Sequence, residues 1–320
     1  MEDPQEEAGL RRSRQLRRNG AGTPRAACWP APNPSRVRSR SHFVTTLPRL
    51  LAVDLDGTLV RRDGVVDARD RRAIAALRER GVTVVVATGR LYSGARPVID
   101  DLGLEGTHIC ADGAHVVRHP GGRDVAVRGL ASVATHLRGV FAAHQLAYFA
   151  LAVDRVVVDE RSASLDRYVR HIAHQIEQTE RVLGHASWDT DPGPSALVAI
   201  GSRSHVDQVE CSLRDVDVDV LRHDVPGGVD ISSLAVHPRG ASKGAALAAL
   251  AAELEIPLEQ SVAVGDWLND ISMFKRAGRA FAMGQAPEVV ARAAAHVLEA
   301  RGDGGGGIAE VACRVWGIEV

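Results

Sequence analysis

From Leu50 the chain alternates short aliphatic runs with longer segments whose apolar residues recur every three or four positions. Unbroken Val, Leu, Ile and Ala runs mark strands buried on both faces of a parallel sheet, and the helical periodicity between them marks crossover helices. This pattern predicts strands at Leu50 to Val53, Val82 to Ala87 and Thr107 to Ala111. The first crossover helix should be capped by Asp67, turn Ile74 and Leu77 inward and stop at Gly81; the second should lie near Ala95 to Leu102.

Past Gly113 the texture changes. His115 to Arg128 alternate like a hairpin, a helix is expected near Ser132 to His144, and strands at Tyr148 to Val158 and Ala196 to Gly201. The crossover rhythm returns at Ser242, where Leu247, Leu250, Ala251 and Leu254 keep the spacing of one helix face; Val262 to Val264 and Ala280 to Met283 supply later strands. The fold class expected is therefore α/β, with a Rossmann-like parallel-sheet core at residues 48–113 and 238–320. An α+β unit is inserted at residues 114–237, and no internal repeat is visible.

Composition narrows the partners. The 320 residues suggest two folded units, and 45% apolar content suffices for a core in each. With 39 basic against 40 acidic side chains the net charge is −1, which argues against nucleic acid as a partner. No stretch approaches the roughly 20 apolar residues of a membrane helix, so no membrane association is expected and the chain reads as cytoplasmic. The oligomeric state is not legible. Aromatics make up only 4%, so the core should be aliphatic. Cys28, Cys110, Cys211 and Cys313 lack zinc or disulfide spacing and read as buried thiols.

Residues 1–47 hold nine arginines, four acids and five prolines without apolar periodicity, which reads as a disordered Arg/Pro-rich tail. No apolar run follows Arg11-Arg12, as an export signal requires, and early acids argue against a transit peptide. The remaining chain is mildly acidic, which suits a cation-dependent site.

In an open parallel sheet ligands bind beyond the carboxyl ends of the strands. Strand one is followed by Asp54-Leu55-Asp56-Gly57-Thr58, strand two by Thr88-Gly89-Arg90, strand three by Asp112-Gly113, and a later strand by Gly265-Asp266 with Asn269-Asp270. Asp54 and Asp56 leave one face of an extended segment, and Gly57 allows the turn after them. With Asp266 added, this oxygen-only set fits magnesium. The plainer alternative, loop and capping aspartates, accounts for any one of these residues better than for all together. Lys243, one of two lysines in the chain, falls in the first turn of a helix, where the macrodipole disfavours a cation; a phosphate or the carboxylates would compensate it, unless it is simply solvated. Thr88 and the amides after it can donate to phosphate oxygens.

Taken in order, these four segments resemble the motifs of haloacid dehalogenase superfamily phosphatases, over about residues 48–320. The insertion resembles the large α/β cap of the Cof-type sugar-phosphatase branch, and Phe281 to Ala286 and the glycines from Gly304 resemble its ending. The resemblance implies that Asp54 is the nucleophile and Asp56 the general acid and base, with Mg2+ held by Asp54, Asp56, Asp266 and Asp270. It also implies that Thr88, Gly89, Lys243 and Asn269 bind phosphate, and that the substrate is a small phosphorylated metabolite, possibly a sugar phosphate. A phosphomutase, or a non-catalytic phosphate-binding regulator, would share much of this set. Asp112, Trp267 and Gln285 depart from the family pattern. Outside it, His171 and His174 read as exposed helix polars sharing a face, Arg90 as the partner of a neighbouring acid, and Arg161, Arg167 and Arg170 as solvated.

Overall fold

The computed structural model describes residues 47–144, 146–224 and 229–320, so the expected tail up to residue 46, with Cys28, lies outside the described residues. The chain begins with β1 (Leu50–Val53), all four of its side chains buried, and crosses through α1 (Ala68–Glu79) to β2 (Thr83–Val86). Asp67 caps α1 by accepting from Arg69 N–H at 2.9 Å, Ile74 and Leu77 are buried, and Gly81 (φ 76°) turns the chain out. Next come α2 (Tyr92–Asp101) and β3 (Gly106–Cys110). β3 runs beside the end of β2 through a parallel bridge between Ala87 and Ile109.

β4 (His115–His119) and β5 (Arg123–Val127) form the expected hairpin, but it pairs antiparallel with β3. Its apolar side chains join the core: Val117 packs with Val84 and Val86, and Val116 with Val85 and Ile109. Alternation alone identifies a hairpin, not the sheet edge it joins, which is why this one was grouped with the insertion.

α3 (Ala134–Ala142) follows, then β6 (Ala147–Ala152), β7 (Arg155–Val158), α4 (Asp166–Ile172), β8 (Ile176–Gln178), β9 (Ala196–Gly201), α5 (Arg203–Ser212), β10 (Val218–Asp224) and β11 (Ser232–Pro238). Their strands build a six-stranded sheet in the order β10-β11-β9-β6-β7-β8, antiparallel except for β7 and β8. Side chains alternate across it. Leu197, Ala199, Leu234 and Val236 pack with Leu137 and Phe141 of α3 and Val206 and Val209 of α5. The residues between them face the other way.

The core resumes with α6 (Lys243–Glu253), β12 (Ser261–Gly265), α7 (Ile271–Phe274), β13 (Arg279–Ala282), α8 (Glu288–Ala293), β14 (His296–Val297) and α9 (Gly307–Trp316). The main sheet is parallel, in the order β14-β13-β12-β1-β2. β1 therefore lies where the strand order reverses, the position at which such sheets open a crevice. The fold class is the α/β one expected. α6 buries Leu247, Leu250 and Ala251, but it ends at Glu253, so Leu254 becomes its exposed C-cap. Cys110 is buried, whereas Cys211 and Cys313 are exposed.

α9 closes the core against α1. Ile308, Val311, Ala312 and Val315 join Ile74 and Leu77, the larger side chains contributing about 1.5–3 kcal/mol each by burial. Asp70 on α1, fully buried, accepts from the amides of Gly306, Ile308 and Ala309 at 2.8–2.9 Å and so satisfies the N-terminus of α9.

One buried histidine makes stability pH-dependent. His108 on β3 accepts from Val86 N–H through Nδ1 at 3.2 Å, and burial, reinforced by nearby His119, lowers its pKa from 6.5 to about 4. Between those values the unfolded chain takes up a proton that the folded protein does not. Stability should therefore fall on acidification from pH 6.5 to pH 4, by up to about 1.4 kcal/mol per pH unit from this ring. Urea midpoints across that range check it; His108→Asn, which keeps an acceptor for Val86, should flatten the slope.

Candidate active site

The carboxyl ends of β1, β2, β3 and β12 meet at one rim. Asp54 leaves β1 with its amide donating to Val264 O at 3.0 Å, and the chain then folds back as Gly57 N–H donates to Val60 O at 3.0 Å. Gly57 is required twice over: its φ is 81°, and a Cβ would stand 2.4 Å from Asp266 Oδ2. Thr58 Oγ1, buried below the turn, donates to Asp266 Oδ1 at 3.3 Å.

Lys243 is completely buried at the first position of α6, behind the N-cap Ser242. Its Nζ donates to Asp54 Oδ1 and to Asp270 Oδ1, both at 2.7 Å. Burial alone would pull the ammonium pKa down, but the charges of Asp270 and Asp54 hold it well above its ordinary value. The carboxylates, not solvent, compensate the unfavourable macrodipole. Asp270 is fully engaged, because Oδ2 accepts from the amides of Asp266 and Trp267 at 2.9 and 3.0 Å.

Asp54, Asp266 and Asp270 offer carboxylate oxygens that all lie within 4.8 Å of one another. Three buried carboxylates against one ammonium leave an excess of two negative charges. Burial pushes Asp54 well above the ordinary carboxylate range despite Lys243, and pushes Asp266 up to about 6 with help from Asp270. A divalent cation removes that excess, and hard oxygen donors suit magnesium, so the residues present fit the ion.

Asp56 has separate partners. Arg90 clasps it in two-pronged fashion, Nε donating to Oδ2 at 2.8 Å and Nη2 to Oδ1, and His171 Nε2 reaches Oδ1 at 2.8 Å. Burial would raise this carboxyl, yet hydrogen bonds from Arg90 and His171 hold it well below the usual carboxylate range. His171 belongs to α4, so the six-stranded unit touches the site directly. It was expected to be an idle surface polar sharing a helix face with His174, but α4 stops at Ile172 and leaves His174 outside it. Nothing in the sequence brings residue 171 to residue 56; only tertiary packing does.

The other expected residues converge as well. Thr88 is fully buried, its Oγ1 accepting from Arg90 N–H at 3.1 Å. Gly89 faces Asp112, whose carboxylate would lie 3.2 Å from a Cβ there. Asp112 adopts φ 53°, ψ 30° and accepts from Asn269 Nδ2 at 2.8 Å, so the acid at this departure from the family pattern anchors a neighbour. Gln285 donates through Nε2 to Gly57 O at 2.7 Å and Asp266 Oδ2 at 3.2 Å, and accepts from Gly302 N–H at 2.8 Å. Trp267 meets His223 edge-on, ring centres 4.7 Å apart. Arg170 pairs with Asp166 at the surface, as a solvated residue should.

Between the rim and the six-stranded sheet lies a cavity of about 540 Å³, floored by Asp54, Asp56, Arg90 and Asp266. His237 borders it, buried, with neither ring nitrogen hydrogen-bonded and Nε2 3.8 Å from Asp112 Oδ2. Sequence reasoning missed His237, because an isolated histidine in a strand carries no signal.

Residues 51–311 match the sequence profile of the haloacid dehalogenase-like hydrolases. The chain is 28% identical over 266 residues to the phosphatase YwpJ of Bacillus subtilis, covering 75% of this chain and 90% of that one. It is 30% identical over 247 residues to the HMP-PP phosphatase of Yersinia pseudotuberculosis, covering 74% and 84%. A haloacid dehalogenase-like hydrolase structure from Bacteroides thetaiotaomicron superposes with a TM-score of 0.69 at 24% identity, over 84% of this chain and 99% of that one. The chain belongs to the haloacid dehalogenase-like hydrolases, and within them to the Cof type. Its enzyme class is phosphoric monoester hydrolase. Among the described residues no helix is long and apolar enough to cross a membrane.

The charge balance of the rim predicts substitutions of opposite sign. Lys243→Met should destabilise the metal-free protein by about 3–5 kcal/mol, since it strands buried carboxylates. Asp266→Asn should stabilise it at pH 7 by about 2 kcal/mol by removing a carboxylate that burial disfavours. Urea unfolding of the two variants beside the parent checks both directions.

Proposed function

We propose that the chain hydrolyses the phosphomonoester of a small metabolite through an aspartyl-phosphate on Asp54, with magnesium as its resident ion. The observation that carries this reading is the buried excess of negative charge around Asp54 and Asp266, next to a second carboxylate, Asp56, held by Arg90 and His171. A loop that merely capped strands would not gather uncompensated charge.

Asp54 and Asp266, with the main-chain carbonyl of Asp56, would hold the ion, while Asp270 fixes Lys243 and the Asp266 loop. When bound, magnesium neutralises charge on the phosphoryl oxygens. An Asp54 carboxylate oxygen attacks phosphorus, the bond from phosphorus to the ester oxygen breaks, and the Asp56 carboxyl protonates the departing alcohol. The Asp56 carboxylate then takes a proton from water as that water attacks phosphorus, releasing inorganic phosphate and restoring Asp54. Asp56 must be protonated for the first half of this cycle, yet Arg90 and His171 hold it ionised. An arriving phosphoryl dianion competes for the same two side chains and loosens their grip, so substrate binding itself readies the acid. Gly89 and Asn269, which border the cavity, and the fully buried Thr88 and Lys243 would bind the phosphoryl oxygens. The six-stranded unit, roughly residues 129–237, acts as a cap that delivers His171 and keeps water out.

Purified protein should release phosphate from small phosphorylated metabolites only when magnesium is supplied. Asp54→Asn should lower kcat by at least about a thousandfold, and acid quenching of the parent during turnover should trap one phosphoryl group on the peptide containing Asp54. Equal turnover by parent and Asp54→Asn refutes the nucleophile.

A further inference from the structure

We propose that the alcohol carried by the phosphoryl group is a flat, aromatic one and not a polyol; this rests on the phosphatase reading above. The observation is the chemistry of the cavity's roof. The face of the six-stranded sheet that looks toward Asp54 is formed by alternate residues of β6, β9, β10 and β11: Leu151, Val198, Ile200, Leu221, Ser233 and Ala235, with His223 and His237 continuing the rows of β10 and β11. No carboxylate, amide, lysine or arginine of these strands lines it. Of the charged residues of β10, Arg222 turns to the opposite face and pairs with Asp207, Glu210 and Asp224, while Asp219 is paired with Arg239 and does not border the cavity. Ser233 Oγ lies 3.5 Å from His223 O.

A sugar would bring several hydroxyls against this roof. Each one stripped of water without a partner weakens binding roughly tenfold. An aromatic ring meets the opposite situation, because aliphatic walls and rings surround it. Trp267 and His223 already lie edge-to-face, and Tyr168 of α4 stands at the mouth with 49% of its surface exposed. Polar side chains are few among the strands of the roof, His223, Ser233 and His237, and only His237 has both ring nitrogens buried without a hydrogen-bond partner. The cavity thus suits a planar group with a polar substituent toward His237, its phosphoryl end toward Asp54 and Arg90.

Two primary-alcohol esters of matched intrinsic reactivity, 2-naphthylmethyl phosphate and glucose 6-phosphate, separate the possibilities. With magnesium-loaded protein the aromatic ester should show at least tenfold higher kcat/KM, the difference residing in KM, and Ile200→Asn or Leu221→Gln should erase most of it. Calorimetric titration of Asp54→Asn with the same two esters reads binding without turnover and should show the same preference. Equal or better use of glucose 6-phosphate with tighter binding overturns the aromatic assignment and leaves the phosphatase reading intact. Selective binding of the aromatic ester without turnover of either upholds the assignment and removes the hydrolytic reading, whereas no selectivity in either measurement removes the assignment.

Discussion

The ion pair formed by Lys243 with Asp54 and Asp270 holds the rest of the site in register. It joins the end of β1, the start of α6 and the loop after β12, and so ties the helix to the paired strands β1 and β12. An ammonium buried this completely is tolerable only with charged partners, and both are present at 2.7 Å. The arrangement also fixes its own deficit. One cation cannot balance three buried carboxylates, so the fold keeps a standing demand for divalent positive charge at the spot where phosphoryl chemistry would need it.

Much of this was legible in the sequence, for identifiable reasons. The core strands are uninterrupted aliphatic runs, and Asp67, Gly81 and Ser242 are punctuation whose local chemistry works regardless of distant contacts. The carboxylates could be collected because a parallel sheet brings every strand's carboxyl end to one side. What could not be read depends on pairing between distant segments. The hairpin His115–Val127 has the same alternation whether it joins one sheet or the other. His171 approaches Asp56 only through the docking of α4, and the second ring position, His174, lies outside that helix. Leu254 fits the periodicity perfectly well but falls one residue beyond the helix end.

The two halves of the cavity were unequally visible. Its floor consists of charged residues in tight motifs, which sequence patterns reveal. Its roof is an ordinary amphipathic sheet in which the buried and open faces are both aliphatic, so the alternation that usually separates inside from outside is muted. Leu197 and Val198 look alike in the sequence, yet one packs under helices and the other borders the cavity. The chemistry of the reaction is therefore written in conspicuous residues, and the choice of substrate in inconspicuous ones.

Gln285 binds the Gly57 carbonyl and Asp266 while receiving the Gly302 amide, and Asp70 receives the amides that begin α9. The earliest and latest stretches of the core are thus clasped together at the site itself. During synthesis Asp54 emerges from the ribosome long before residues 302 to 316, so the nascent chain carries this carboxylate without the brace that shapes the surrounding turn. The turn after β1 can reach its final form only once residues 302 to 316 have been made.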